Sequence, residues 1–324
     1  MNTNSQLCSV FSRSVNEDPG GSAPTWDRLV VMELKHPWGK NVTDTPHFPV
    51  SISESLERIK KSRIPTKFLC VLPDKEYSVE GYSRVMFFYK PESQFSQYKK
   101  DEFLVPIDKN AKLVETFLEH QTEIEQFGHY RQNTQNIRDI LVCTHGSHDT
   151  CCGSFGFPIY SSLKQMCTHI PIRDIRIWRV SHLGGHNFAP NLVDLPSGRY
   201  WCRLDTDDLA MLISQTNSIS TLKKSYRGWA GFQTTHEQIV EREILIQEGW
   251  DWNKRLISGK VFNYKSDSEE TLVLMDFLDP HLNKAVSYKA TTKCTGKVPK
   301  KDCMGNLASS DTIQYSVSEL QKVD

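Results

Sequence analysis

Two short apolar runs, each ending in a pair of metal-ligating residues, constrain this chain more than any other feature. Ile140-Leu141-Val142 runs into Cys143, and Cys152 follows after eight intervening residues. Ile175 to Val180 leads to His182, and His186 follows through Leu183-Gly184-Gly185. Runs of this length read as buried strands. Between them Ile159, Leu163, Met166 and Ile170 share one helical face over Phe157–His169, with Pro158 suited to the first turn. A right-handed β-α-β crossover makes the two strands parallel. Both ligand pairs then leave the carboxyl edge of one sheet, where ligands of open α/β sheets bind. Two thiols and two imidazoles arriving at one edge point to a metal or iron–sulfur site.

The rest of the chain is read around that unit. Leu192-Val193, Pro196-Ser197-Gly198 and Tyr200-Trp201-Cys202 form a hairpin pattern, and Asp205 caps a helix through Leu209, Leu212 and Ile213. The order β-α-β, hairpin, α is that of a small thioredoxin-like domain, spanning residues 129–220. Upstream, Leu29–Met32, Phe68–Leu72, Arg84–Tyr89 and Phe103–Val105 read as strands, with helices over Ser51–Arg63 and Ala111–Phe127. Residues 1–128 thus read as a separate α/β domain, with His129 to Thr134 as a polar hinge. Residues 221–324 form an extension: a helix over His236–Gln247, strands near Val273–Met275 and Ala285–Tyr288, and a polar, partly ordered tail from Ser309. A length of 324 residues fits more than one domain.

Charge and cysteine usage narrow the function classes. Lys+Arg and Asp+Glu balance at 39 each, which argues against obligate nucleic-acid or membrane binding. No apolar run reaches the length of a membrane span, and the amino terminus lacks the pattern of a secretory signal. Nine cysteines, an odd count, argue against a disulfide scaffold. A reducing cytoplasm is the expected location, where thiols are free to bind metal.

Cys143-Thr144-His145-Gly146 with Cys152-Gly153, followed by His182-Leu183-Gly184-Gly185-His186, resembles the sucrase/ferredoxin-like family. That family looks like an offshoot of thioredoxin-like 2Fe–2S ferredoxins, with an H-x-G-G-H segment where those have C-x-x-x-C. The resemblance is specific over about residues 139–215. It implies an α/β fold of two domains, the second a thioredoxin-like ferredoxin domain with a C-terminal extension. It further implies a 2Fe–2S cluster on Cys143, Cys152, His182 and His186, and electron exchange with a redox partner protein rather than an enzyme with its own substrate. Where members carry Arg-Asp this chain has His148-Asp149, and where they often carry Arg it has Cys151. Cys152, beside Gly153, is therefore the ligand candidate.

Physical chemistry agrees with that choice. A thiolate gains from a helix amino terminus, and Cys152 lies just ahead of the helix expected at Pro158. Gly184 and Gly185 permit the tight fold that turns both imidazoles to one edge. Two neutral imidazoles in place of two thiolates leave an oxidised 2Fe–2S core uncharged, which raises its potential, as in Rieske centres. A ligating imidazole also keeps a proton that oxidised iron makes more acidic, so electron and proton uptake become linked.

Other readings stay open on the residues alone. Zinc suits two cysteines and two histidines, and His145 or His148 could replace one of the histidines. Cys151 or Cys152 could be the nucleophile of a thiol oxidoreductase. Cys294 and Cys303 repeat the eight-residue interval and could form a second half-site or a redox pair. Cys8 and Cys70, isolated in sequence, read as structural. Arg173, Arg176, Arg179, Arg199 and Arg203 read as a solvated strand face or as a docking patch for an acidic carrier. No carboxylate pair offers the acid and nucleophile of a glycosidase.

Overall fold

The structure is a computed structural model, and it describes residues 7–61, 64–169, 174–216, 218–262, 270–279, 284–303 and 306–323. The first half runs α1 (Cys8–Ser14), β1 (Arg28–Glu33), α2 (Val50–Ile59), β2 (Thr66–Val71), β3 (Tyr82–Tyr89), β4 (Lys99–Pro106) and α3 (Asn110–Glu119). The second continues with β5 (Arg138–Cys143), α4 (Thr150–His169), β6 (Ile175–Val180), β7 (Asn191–Leu195), β8 (Arg199–Cys202) and α5 (Thr206–Ser214). Then come β9 (Tyr226–Trp229), α6 (Thr235–Glu248), β10 (Leu256–Phe262), β11 (Glu270–Asp279), β12 (Lys284–Val298) and β13 (Thr312–Val323).

A mixed sheet of nine strands, in the order β4-β3-β1-β2-β6-β5-β7-β8-β9, unites both halves. The pairs β1–β2 and β5–β6 are parallel, as expected of strands joined through a helix. Counted outward from the β2–β6 junction, each half repeats one plan: second strand, first, third, fourth. The junction is antiparallel and pairs Val71 with Val180, the last residue of each strand. Ser181 N–H donates to Cys70 O at 2.8 Å, and Cys70 N–H donates to Ser181 Oγ at 3.0 Å. The carboxyl ends of both parallel pairs therefore meet at the middle of the sheet.

Alternation along β1 shows why its run is apolar throughout. Leu29 and Val31 enter the core shared with the second half, while Val30 and Met32 pack toward Phe87, Val114 and Phe117. A strand buried on both faces has no polar face to show. A buried network of charged groups interrupts this core. Glu102 of β4 accepts from Arg84 and from Arg176 of β6, and Arg176 Nε donates to Asp139 of β5 at 2.7 Å.

A second sheet, the antiparallel meander β10-β11-β12-β13, carries α6 against it. The tail expected to be polar is β13, paired along β12, and its Val317 and Leu320 pack against the main core. The segment expected as a hinge is bonded to β4: Arg131 bridges Phe103, and Gln132 N–H donates to Glu102 O at 2.8 Å. The helix expected to reach Phe127 stops at Glu119, and a 3-10 segment takes Gln121–Tyr130. Among the described residues, no helix is long and apolar enough to cross a membrane.

Candidate metal centre

Three of the four expected ligands converge where the sheet halves meet. Cys143 ends β5, Cys152 lies in the first turn of α4, and His182 follows β6. His182 Nδ1 stands 3.4 Å from Cys152 Sγ and 4.0 Å from Cys143 Sγ, and the three ligand atoms lie within 4.8 Å of one another. The helix begins at Thr150, earlier than Pro158 suggested, because Asp149 caps it: Cys151 N–H donates to Asp149 Oδ1 at 2.9 Å. Pro158 sits inside the helix. Two glycines let α4 dock so closely. A Cβ on Gly156 would stand 1.8 Å from Cys143 O, and one on Gly153 would stand 2.9 Å from Gly146 Cα.

His186 stands off from this trio. Its ring centroid is 6.1 Å from that of His182, and its Nδ1 faces Asp149 Oδ2 at 3.1 Å and Cys8 Sγ at 3.0 Å. The turn between the two histidines places Gly184 and Gly185 at φ +96° and +73°, a conformation that glycine adopts without steric cost. Arg227 of β9, fully buried, secures that turn: Nη1 donates to Gly184 O and to Asn191 Oδ1, both at 2.9 Å. Nothing in the sequence near the ligands points to Arg227, which reads there as part of an aromatic-glycine turn.

The thiols are electrostatically unequal. A hydrogen bond from Cys152, opposed by burial and helped by His182, holds Cys143 well below the ordinary thiol range. Cys152, facing that thiolate, is pushed up. The pair thus shares a proton that a bound metal displaces.

The remaining histidines position the centre. His145 is buried; its Nε2–H donates to Gly39 O at 2.8 Å, which leaves Nδ1 to accept from His182 N–H at 3.1 Å. His148 donates from Nδ1 to Lys40 O at 2.8 Å, and its ring stacks on His182 with centroids 3.9 Å apart. Ser147 Oγ donates to Trp38 O at 2.9 Å. The turn after β1 thereby covers the site with three successive carbonyls, and neither His145 nor His148 is among the three residues whose ligand atoms gather within 4.8 Å.

Cys151 turns away from Cys143 and Cys152. It faces Cys8 at 3.4 Å and Cys303 at 3.2 Å, and a hydrogen bond from Cys8 lowers its thiol to about 6. Burial raises Cys303 to about 12. Cys294 lies exposed on β12, where its Sγ faces Gly296 O, whereas Cys303 faces Cys8 and Cys151. Cys8, read from sequence as structural, belongs to this second group. Cys70 is buried, and burial raises its thiol.

The arginines form no common face. Arg176 is paired with Glu102 and Asp139, and Arg199 Nη2 pairs with Glu241 at 3.0 Å, all five buried. Both the solvated-face and docking-patch readings of these two residues are corrected by that burial; the alternation placed them toward polar partners inside the protein. Arg173 lies outside the described residues.

Fold and centre together define an α/β protein in which clustered thiols and imidazoles can hold a metal at the meeting carboxyl edges of two parallel strand pairs. Residues 19–228 match the sucrase/ferredoxin-like family, and the chain belongs to it. Two curated relatives are both called altered inheritance of mitochondria protein 32. The one from Meyerozyma guilliermondii is 22% identical over 248 residues, covering 68% of this chain and 85% of the relative. The one from Candida glabrata is 23% identical over 203 residues, covering 58% of this chain and 61% of the relative. A solved thioredoxin-like 2Fe–2S ferredoxin from Aquifex aeolicus is 13% identical and covers 25% of this chain and 79% of its own, with a TM-score of 0.23.

Proposed function

We propose that this chain is an electron-transfer protein whose second half, a thioredoxin-like domain, binds a 2Fe–2S cluster through Cys143, Cys152, His182 and His186. The observation that carries the reading is the convergence of Cys143, Cys152 and His182 within 4.8 Å, from three separate elements. The β-α-β, hairpin, α order of the second half supports the domain assignment. The donor set fits: two sulfurs, one of them held as thiolate, with an imidazole beside them and no carboxylate among the three. His186 would supply the fourth ligand through Nε2, since its Nδ1 faces Asp149 Oδ2 and Cys8 Sγ.

A cluster bound there would supply one-electron transfer. The chain itself orients and insulates. His145 fixes the backbone of His182, Arg227 fixes the Gly184-Gly185 turn, and the Trp38–Lys40 turn keeps solvent from one side. The thiol-oxidoreductase reading is disfavoured by access, since Cys151 and Cys152 are 0% and 1% exposed and a nucleophile must reach its substrate. A redox partner protein would supply or accept the electron.

Protein purified without oxygen tests the reading. Iron and acid-labile sulfide in equal amounts, with visible sulfur-to-iron bands, are expected. A colourless protein whose only metal is zinc bound by Cys143 and Cys152 contradicts it.

A further inference from the structure

Cys8, Cys151 and Cys303 come from the two ends and the middle of the chain and meet at one point. Cys8 Sγ lies 3.4 Å from Cys151 Sγ and 2.8 Å from Cys303 Sγ, and the last two sulfurs are 3.2 Å apart. These separations are shorter than the roughly 3.5–4.0 Å at which even non-bonded carbon atoms settle. Asp149 borders the same point, with Oδ1 3.3 Å from Cys303 Sγ. Cys8 and Cys151 are buried with Ala189, and Leu7 and Phe155 pack around them; Cys303 and Asp149 are part-exposed and leave a way in. Cys8 and Cys303 both lie outside residues 19–228, the part that matches the family. The convergence is thus built by this chain's own ends.

We propose that Cys8, Cys151, Cys303 and Asp149 form a second, mononuclear site for Zn²⁺, separate from the centre at Cys143, Cys152 and His182. Three thiolates and one carboxylate are ligands of the kinds that bind this borderline-soft ion. Zinc–sulfur bonds of about 2.3 Å in a tetrahedron hold sulfurs about 3.8 Å apart. The three sulfurs reach that spacing by opening about 1 Å or less each. Four protein ligands close the coordination sphere, so the ion is structural rather than hydrolytic. It cross-links α1, the start of α4 and the turn between β12 and β13. Asp149 joins the two centres, with one oxygen toward the ion and the other 3.1 Å from His186 Nδ1. That arrangement is the carboxylate–histidine pairing that fixes an imidazole's orientation.

The test uses the full chain, purified without oxygen and stripped with a chelator, then given Zn²⁺ alone. Zinc and iron are counted separately, before and after cluster reconstitution. One zinc per chain is expected to remain once the cluster is reconstituted, and cobalt(II) in its place should show thiolate charge-transfer and intense tetrahedral bands. Cys8→Ser and Cys303→Ser should each lose the zinc and keep the iron, while Cys294→Ser keeps both. Melting of zinc-free wild type and zinc-free variants at the same temperature shows that the variants fold. The proposal is overturned if wild type takes up no zinc, or if both variants retain it. It is also overturned by a disulfide among these three cysteines in the anaerobic protein. Zinc that depends on Cys143 instead of Cys8 overturns both this site and the cluster reading. Zinc that depends on Cys8 in a protein unable to take up iron overturns the cluster reading alone.

Discussion

Cys151 and Cys152 are neighbours in sequence yet belong to different groups. In the first turn of α4 successive side chains point about 100° apart, so one sulfur meets Cys143 and His182 and the other meets Cys8 and Cys303. Cys143→Ser and Cys152→Ser should therefore each lose most of the iron after identical reconstitution, whereas Cys151→Ser keeps it; visible absorbance and iron content decide. A loss in Cys151→Ser and not in Cys152→Ser would move the ligand by one residue. His145→Ala removes the acceptor of His182 N–H and should loosen that ligand. Iron should leave the variant faster under a chelator, while an unchanged release rate would show that His145 only fills space. The trio at the centre was legible in the sequence because Cys143 and His182 follow local apolar runs and Cys152 stands beside Gly153 at the family's spacing. Cys8 and Arg227 were not, because each reaches the site from a distant segment with no pattern around it, and Cys303 was marked by its interval from Cys294 but not by its partners, Cys8 and Cys151.

Helix α4 is placed by what its glycines lack. A Gly156→Ala side chain would overlap Cys143 O, and overpacking of this kind costs about 1–3 kcal/mol. Denaturant unfolding should show a loss at the upper end of that range, with lower iron retention. The sequence put the start of this helix at Pro158 because proline favours a first turn. The cap at Asp149 is the stronger signal, because it takes up the Cys151 N–H ahead of the proline's turn. The buried network behind the sheet sets acid stability. Burial opposes ionisation of Glu102, but hydrogen bonds and charge from Arg176, with Lys100 and Arg84, hold its pKa at about 2 against an ordinary 4.5. A carboxyl lowered in this way stabilises the fold above its unfolded-state value, by about 3 kcal/mol. That contribution fades as pH falls from about 4.5 toward 2. Glu102→Gln should flatten the stability–pH curve over that window, and Arg176→Ala should cost about 3–5 kcal/mol at neutral pH by leaving buried carboxylates short of a partner. A variant with the wild-type acid profile would contradict the assignment.

At the scale of the whole molecule, one strand plan is used twice and the two copies meet at their carboxyl ends. The element order of each half was readable from the alternation of strands and helices. Their union in one sheet was not, because the repeat lies in the order of the strands and the junction is short: one ladder pair, Val71 with Val180, flanked by bonds between Cys70 and Ser181 and between Leu72 and Arg179. That union brings the Trp38–Lys40 turn of the first half over the ligands of the second. If His182 and His186 hold the cluster as proposed, protein-film voltammetry should show a lower potential in His182→Cys or His186→Cys than in wild type, because a thiolate in place of a neutral imidazole makes the cluster more negative. The most direct measurement is pulsed electron paramagnetic resonance on the reduced protein, grown with nitrogen-15 histidine. Two strongly coupled histidine nitrogens are expected, one lost in His182→Cys and the other in His186→Cys. A cluster signal with no strongly coupled histidine nitrogen would contradict ligation by His182 and His186.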